Sequence, residues 1–253
     1  MESEVLRFLL VGNPNCGKST IFNSLVGGNA HVGNYSGVTV ERKTGTFEVG
    51  GIKISVEDLP GVYNISPSSA EEEVVRDTLS SGDFDLIVNV MDSSNLERNL
   101  FLTIQLAEME LSNLLGVPAI KSVAYKSSSA ASLKLFLLDA FLKKREPNFL
   151  WSKFKDKPLY SDVSQISHLI GKSLPKESAD WAHWLAIRAM EGDKSILEKI
   201  RASSKELADA IEFTCGKIES DFGETPAGLI AAARFKLAND IARKTLFGKN
   251  TKT

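Results

Sequence analysis
Cysteine is scarce in this 253-residue chain: Cys16 and Cys215 stand alone, which rules out a disulfide framework and suits a reducing compartment. The three histidines, His31, His168 and His183, are scattered without metal-ligand spacing, so each reads as a loop or helix-surface residue. Neither sign of charge dominates. With 30 basic and 32 acidic residues no global field favours nucleic acid or an anionic membrane surface, and any such contact would have to be local. No apolar run approaches the ~18 residues of a membrane span. The start, Met1-Glu2-Ser3-Glu4, is acidic where a secretory leader is basic, so a soluble chain is expected. Repeats and low-complexity tracts are also missing, apart from Ser127-Ser128-Ser129. An apolar content of 43% against 25% charged residues is enough for one large domain or two modest ones with a real core.

What is present begins at residue 12. Gly12-Asn13-Pro14-Asn15-Cys16-Gly17-Lys18-Ser19 fits G-x-x-x-x-G-K-[ST] between the apolar run Phe8–Val11 and a helical pattern from Thr20. Glycines at both ends let successive backbone N–H groups turn inward around phosphates, with a helix N-terminus behind them. In this pattern Asn13, Asn15, Cys16, Gly17, Lys18, Ser19 and Thr20 are the nucleotide-binding candidates. Lys18 reaches the β/γ-phosphates, and Ser19 gives a hydroxyl to Mg²⁺. Cys16 reads as a small loop filler rather than a redox switch, although a thiol beside a helix N-terminus has a lowered pKa.

Around this loop the first half alternates strand and helix. Strands are predicted at Leu6–Val11, 41–49 and 52–58, the last two forming a hairpin at Gly50-Gly51. The apolar run within Asp85–Asp92 reads as a strand buried on both faces. Helices are predicted at 18–26, 96–109 and 130–142, a last strand at 118–124, and an irregular glycine-rich stretch runs to Val38. This is an α/β pattern, a doubly wound, mostly parallel sheet with its ligand at the strand carboxyl ends. Beyond Lys143-Lys144-Arg145-Glu146-Pro147 only helices are predicted, at 162–172, 177–191, 194–203, 204–219 and 226–247. The expected division is 1–146 for the nucleotide-binding domain and 147–253 for an all-α domain. Trp181, Trp184, Leu185 and Arg188 share a helix face, which makes the tryptophans core residues before it makes them a ligand platform. Thr225-Pro226 caps the final helix.

Asp58-Leu59-Pro60-Gly61 follows a strand, where D-x-x-G supplies a carboxylate for Mg²⁺ and a glycine N–H for a γ-phosphate. Between the two motifs lies Gly33–Glu41, a loop flexible enough to order over a nucleotide, with Thr39 placed to give its hydroxyl to the metal. Lys18, Thr39 and Gly61 are thus the catalytic candidates, and Ser19, Thr39 and Asp58 the Mg²⁺ set. Val62 stands where many GTPases carry a glutamine that orients the attacking water, so catalysis needs another source of charge. Arg42 and Arg76 are candidate arginine fingers, weighed against ordinary solvated arginines.

The phosphate loop with Asn13-Pro14-Asn15, the run Gly37-Val38-Thr39-Val40-Glu41, the turn Asp58–Tyr63 and the helix start Leu96-Glu97-Arg98-Asn99-Leu100 together resemble the cytosolic N-terminal part of the bacterial ferrous iron transporter B (FeoB) family. The resemblance is close over about 1–110, weaker to 145, and rests on position and helical character beyond. It implies a P-loop GTPase domain and a helical domain leading into a polytopic membrane domain that this chain does not include, at the cytoplasmic face of the bacterial inner membrane. It also implies Asn15 as ligand of an activating K⁺. Tyr35-Ser36 replaces the Trp-Pro of many members.

An N-K-x-D, whose aspartate reads guanine, is missing from the sequence, and so is a strand of the expected sheet. Leu111–Pro118 resembles the stretch just before the family's last strand, and the later base-contacting loop survives only as Ser122, Val123 and Ala124 before Tyr125-Lys126. A site lacking that aspartate loses its main means of rejecting adenine, roughly 10⁴-fold. A natural divergence, a deletion and an incomplete sequence all account for the gap. A real loss makes a homo-oligomer or domain-swapped dimer plausible. The function expected is a GTP-hydrolysing module, K⁺-assisted and slow in turnover, that regulates Fe²⁺ uptake. The alternative is a nucleotide-binding conformational sensor with negligible hydrolysis, and a ribosome-assembly GTPase fits the phosphate motifs alone.

Overall fold
A computed structural model of the chain describes residues 5–65, 69–108, 127–143, 158–174 and 179–247. These fall into two compact units, the first holding 5–103 and 127–143, the second 104–108, 158–174 and 179–247. The last strand predicted at 118–124 and the segment discussed for the N-K-x-D lie outside the described residues.

The first unit is built on β1 (Leu6–Gly12), in which Phe8, Leu9, Leu10 and Val11 have no exposed surface. A strand buried on both faces needs covered neighbours on both edges, and β1 pairs in parallel with β4 (Ile52–Asp58) and β5 (Leu86–Val90). β3 (Glu41–Val49) and β4 form the predicted hairpin, with Gly50 and Gly51 at φ 60 and 76°, the left-handed pair that a two-residue turn requires. Strand order is β2-β3-β4-β1-β5, antiparallel over β2-β3-β4 and parallel over β4-β1-β5. Helix α1 (Lys18–Val26) lays Ile21, Phe22, Leu25 and Val26 against Phe8, Leu10, Ile54 and Val56, together with Leu133 and Leu137 of α4 (Ser127–Leu142).

Two elements differ from the sequence expectation. β2 (Ala30–Asn34) is a strand where an irregular stretch was expected. All five of its residues are exposed, so no apolar alternation announces it, and it exists through its ladder with β3 from Ala30↔Gly45 to Asn34↔Glu41. Helix α2 (Ala70–Ser80) fills a stretch with no predicted element. Its signal is Ser69-x-x-Glu72, where the Ser69 hydroxyl accepts from the Glu72 N–H at 3.2 Å ahead of Val75 and Leu79, both fully buried. Helix α3 (Leu96–Glu108) follows a short 3₁₀ turn at Ser93–Asn95.

The second unit holds α5 (Pro158–Ser173), α6 (Ala179–Met190), α7 (Lys194–Ser203), α8 (Lys205–Phe222) and α9 (Pro226–Phe247). Caps define them. Asp193 accepts from Ser195 and Ile196 N–H, Ser204 from Leu207 N–H, and Thr225 from Gly228 N–H at 3.1 Å, as the Thr225-Pro226 pair implied. Trp184, Leu185 and Arg188 are buried, which makes Trp184 a core residue and not an open platform. Among the described residues no helix is long and apolar enough to cross a membrane.

Inside this unit lies a charged cluster. The Arg234 guanidinium spans the Glu108 carboxylate with Nε at 3.0 Å and Nη2 at 2.6 Å, and its other edge meets Glu191. Arg188 joins Glu191 at 2.9 Å to the cap residue Asp193 at 2.8 Å. Burial pushes the Glu108 carboxyl upward against the pull of Arg234.

His183, expected on a helix surface, is instead buried in α6, and burial draws its imidazole down to about 4. Because the folded form resists the proton that the unfolded chain takes up near pH 6.5, the stability is present above that pH and is lost as pH falls toward 4. The expected loss is about 2–3 kcal/mol. Urea melts of the wild type and of His183→Gln should converge on acidification, and a wild-type stability flat from pH 7 to 4 would contradict this.

Candidate functional site
The end of β1 turns at Gly12, where a side chain is excluded: a Cβ there would lie 2.6 Å from the Val90 carbonyl oxygen and 2.8 Å from Cys16 Sγ. Asn13 is buried behind the loop, its carbonyl accepting from Cys16 N–H at 3.3 Å and its Nδ2 donating to the Arg98 carbonyl at 3.3 Å. Asn15 and Gly17 are left-handed, at φ 61 and 92°, and such residues turn consecutive amides to one concave side. Gly17 then accepts from Ile21 N–H at 3.1 Å as α1 begins, with no side chain capping the helix. The first-turn amides of α1 therefore face the concavity without a protein acceptor from the cap residue, which is the arrangement that favours an anion. Cys16 is half-buried, and burial raises its thiol against the pull of Lys18 and the local backbone, opposite to the lowering expected beside a helix N-terminus.

Three sequence-predicted residues converge here. Lys18, only 8% exposed, ion-pairs with Asp58 Oδ1, and the Ser19 hydroxyl donates to Asp58 Oδ2 at 3.0 Å. The register Leu10↔Asp58 carries this out, since parallel pairing of β1 with β4 ends both strands beside the loop. Beyond Asp58 the turn is pinned to β1: Leu59 N–H donates to Leu10 and Val62 N–H to Gly12, at 3.1 and 3.2 Å. Gly61 lies flat on Pro14, where an added Cβ would sit 3.0 Å from Pro14 Cα. The Val62 side chain is buried, so position 62 belongs to the core and cannot face a reacting water.

Other candidates are placed differently. Asn15 and Thr20 are exposed. Thr39 is exposed in the 35–40 loop, and no hydrogen bond joins it to Ser19 or Asp58 among the described residues. Ser122, Val123 and Ala124 lie outside the described residues. Neither arginine finger is available in this arrangement: Arg42 forks onto Glu57 at 3.0 Å through Nε and Nη2, and Arg76 pairs with Asp77 at 2.8 Å. Sequence reading passed over Glu57, which is buried beside Asp58, and over the Arg98 guanidinium 4.0 Å from the Tyr63 ring centroid. A lone glutamate in an alternating strand carries no local sign that three distant donors will meet it.

The oxygen donors suit Mg²⁺, a hard cation that takes a hydroxyl and a carboxylate and keeps several waters.

Two family profiles match the chain, ferrous iron transport protein B over residues 6–136 and the FeoB cytosolic helical domain over 156–246. The chain belongs to the FeoB family. The Fe(2+) transporter FeoB of Methanocaldococcus jannaschii is 32% identical over 94% of this chain and 38% of its own length. That of Escherichia coli is 32% identical over 90% of this chain and 31% of its own. The chain thus spans about a third of these FeoB relatives. A mutant of S. thermophilus NFeoB bound to GDP superposes with a TM-score of 0.79 at 30% identity, covering 94% of this chain and all (100%) of that one. The cytosolic domain of L. pneumophila FeoB gives 0.75 at 30% identity over 95% and 98%. This FeoB chain is therefore a P-loop α/β module with a helical unit, and its relatives place a nucleotide site in the same fold.

Proposed function
We propose that this chain is the GTP-binding and GTP-hydrolysing cytosolic module of a ferrous iron transporter, stimulated by K⁺ and slow in intrinsic turnover. The observation that carries the reading is the meeting of Lys18, Ser19 and Asp58 at the mouth of a loop made concave by left-handed Asn15 and Gly17. Amides of the loop and of the α1 N-terminus hold the α- and β-phosphates, and Lys18 leaves Asp58 for the β/γ-phosphates. Ser19, Asp58 and, after movement of its loop, Thr39 would hold Mg²⁺, which neutralises charge developing between the phosphates. The Gly61 N–H faces the γ-phosphate and helps to hold the attacking water. With Val62 buried and Arg42 engaged, the charge that an arginine finger supplies elsewhere falls to a K⁺ that Asn15 would hold. Residues 1–146, apart from 104–108 at the end of α3, then form the GTPase domain, and 147–253 the helical domain that leads into the transporter's membrane part at the cytoplasmic side. A homo-oligomer or swapped dimer remains part of this reading.

The buried Val62 also favours a second reading, a nucleotide sensor with little hydrolysis. Phosphate release separates the two: we expect it to be severalfold faster in KCl than in NaCl and to vanish in Lys18→Ala, whereas no lysine-dependent release in either salt would favour the sensor. Titration with labelled GDP, GTP, ADP and ATP then decides base preference; equal affinities would show that Ser122, Val123 and Ala124 do not replace the missing aspartate.

A further inference from the structure
One charged cluster in the first unit is unused by the nucleotide site. Glu57 is the residue before Asp58 in β4, it is 2% exposed, and its carboxylate accepts from Arg7 Nη2 and the Tyr35 hydroxyl at 2.9 Å and from Arg42 at 3.0 Å. The Arg42 guanidinium also stands 5.6 Å from the Tyr35 ring centroid. Burial alone would raise this carboxyl, but the hydrogen bonds from Arg42, Arg7 and Tyr35 outweigh it and hold it below the usual range, hence ionised. Burial and Glu57 together push the Tyr35 phenol up, so it stays a donor.

Tyr35 opens the loop that carries Thr39. That loop closes on itself, Tyr35 N–H donating to Val40 at 3.0 Å and Val38 N–H to Tyr35 at 3.3 Å, and it continues the β2–β3 hairpin. Within the ladder Lys43 faces Asp58, and Thr39 lies four residues further out. Thr39 is exposed in the turn that precedes β3, and none of the described hydrogen bonds of Ser19 and Asp58 reaches it. β2 itself contributes no buried side chain, so apart from backbone pairing the hairpin end is held at three points, the buried Val40 and the contacts of Tyr35 and Arg42 with Glu57.

We infer that Tyr35 is a positioning residue whose hydroxyl, bound to Glu57, latches the 35–40 loop in a form that keeps Thr39 from Ser19 and Asp58. This rests on the nucleotide-site reading above. Bringing Thr39 to the cation requires the latch to open, so the latch sets how strongly a triphosphate is preferred over a diphosphate: loosening it favours the form that uses Thr39.

Tyr35→Phe tests this, since the ring stays over Arg42 and both arginines stay on Glu57. Without nucleotide, amide hydrogen exchange over 30–35 and 40–45 is expected to run about three- to tenfold faster in the variant. Unchanged rates overturn the latch whether or not any nucleotide binds. With Mg²⁺, the affinity ratio of a non-hydrolysable GTP analogue to GDP is expected to shift about three- to tenfold toward the analogue. General damage to the fold would weaken both ligands and leave the ratio unmoved. Faster exchange with an unmoved ratio overturns the coupling to Thr39. A wild type that binds neither nucleotide overturns the site reading and leaves the exchange rates to decide the latch.

Discussion

Replacing Lys18 with alanine is expected to lower affinity for GDP and GTP by about 100-fold or more, because a charge-assisted contact to phosphate is lost from a largely buried position. Lys18 is 8% exposed, so little solvent is present to substitute for it. The same change acts on the unliganded fold. Asp58, whose side chain is 3% exposed, keeps the Ser19 hydroxyl at 3.0 Å but loses its ion-pair partner. Removing one member of a buried pair leaves an uncompensated charge, and a loss of about 3 kcal/mol is expected in denaturant melts. Asp58→Asn should act oppositely on the lysine, freeing Lys18 for phosphate. GDP affinity measured in EDTA should then hold or rise while the dependence on Mg²⁺ disappears. Calorimetry of the two variants checks the pair of outcomes, and wild-type affinity in Lys18→Ala would remove the basis for the site.

The second large effect is expected in the helical unit. Arg234→Met strips both Glu108 and Glu191 of their shared partner in a region where the side chains are 3%, 5% and 11% exposed. Breaking such a buried pair from one side costs about 3–5 kcal/mol, which for a unit of this size lowers its melting temperature by on the order of 10–20 °C. Removing both charges, in Arg234→Met with Glu108→Leu, should restore much of that loss, because no charge is then left without a partner. The sign with pH follows from Glu108. Burial already pushes its carboxyl up, and without Arg234 only the weaker pull of Arg188 opposes this, against the push of Glu191. A carboxyl that binds its proton more tightly when folded stabilises below its unfolded pKa and ceases to do so as pH rises through the folded one. The single variant should therefore recover stability as pH is lowered from 8 toward 5, whereas the double variant should lack this recovery. Urea melts across that range measure both, and a variant whose deficit is independent of pH would show that Glu108 is not the group left exposed to burial.

Much of the site was legible from local chemistry. A phosphate loop can be read because its function lies in the backbone: Gly12 and Gly17 stand where a side chain or a right-handed conformation is not tolerated, and the structure gives each a reason. Gly50-Gly51 and Thr225-Pro226 are similar, since turn and cap preferences act over three or four residues. Ser69-x-x-Glu72 is equally local and marks α2, although no helix is predicted there. Thr39 was only half legible. Its residue type suggested a metal ligand, but the sequence does not show that it is exposed or that no hydrogen bond among the described residues joins it to Ser19 or Asp58.

From its residues alone, the chain determined that strand, phosphate loop and helix succeed one another at 6–26, that a hairpin turns at 50–51, and that the described residues from 158 to 247 are helical, because hydrophobic period, turn chemistry and capping are short-range forces. Only the tertiary structure decided that Ala30–Asn34 pairs as an edge strand, that Tyr35, Arg7 and Arg42 meet on Glu57, that His183 is buried, and that Glu108 finds Arg234 126 positions away. Those outcomes rest on desolvation and charge pairing between segments remote in sequence, and such terms have no value until the chain has brought the partners together.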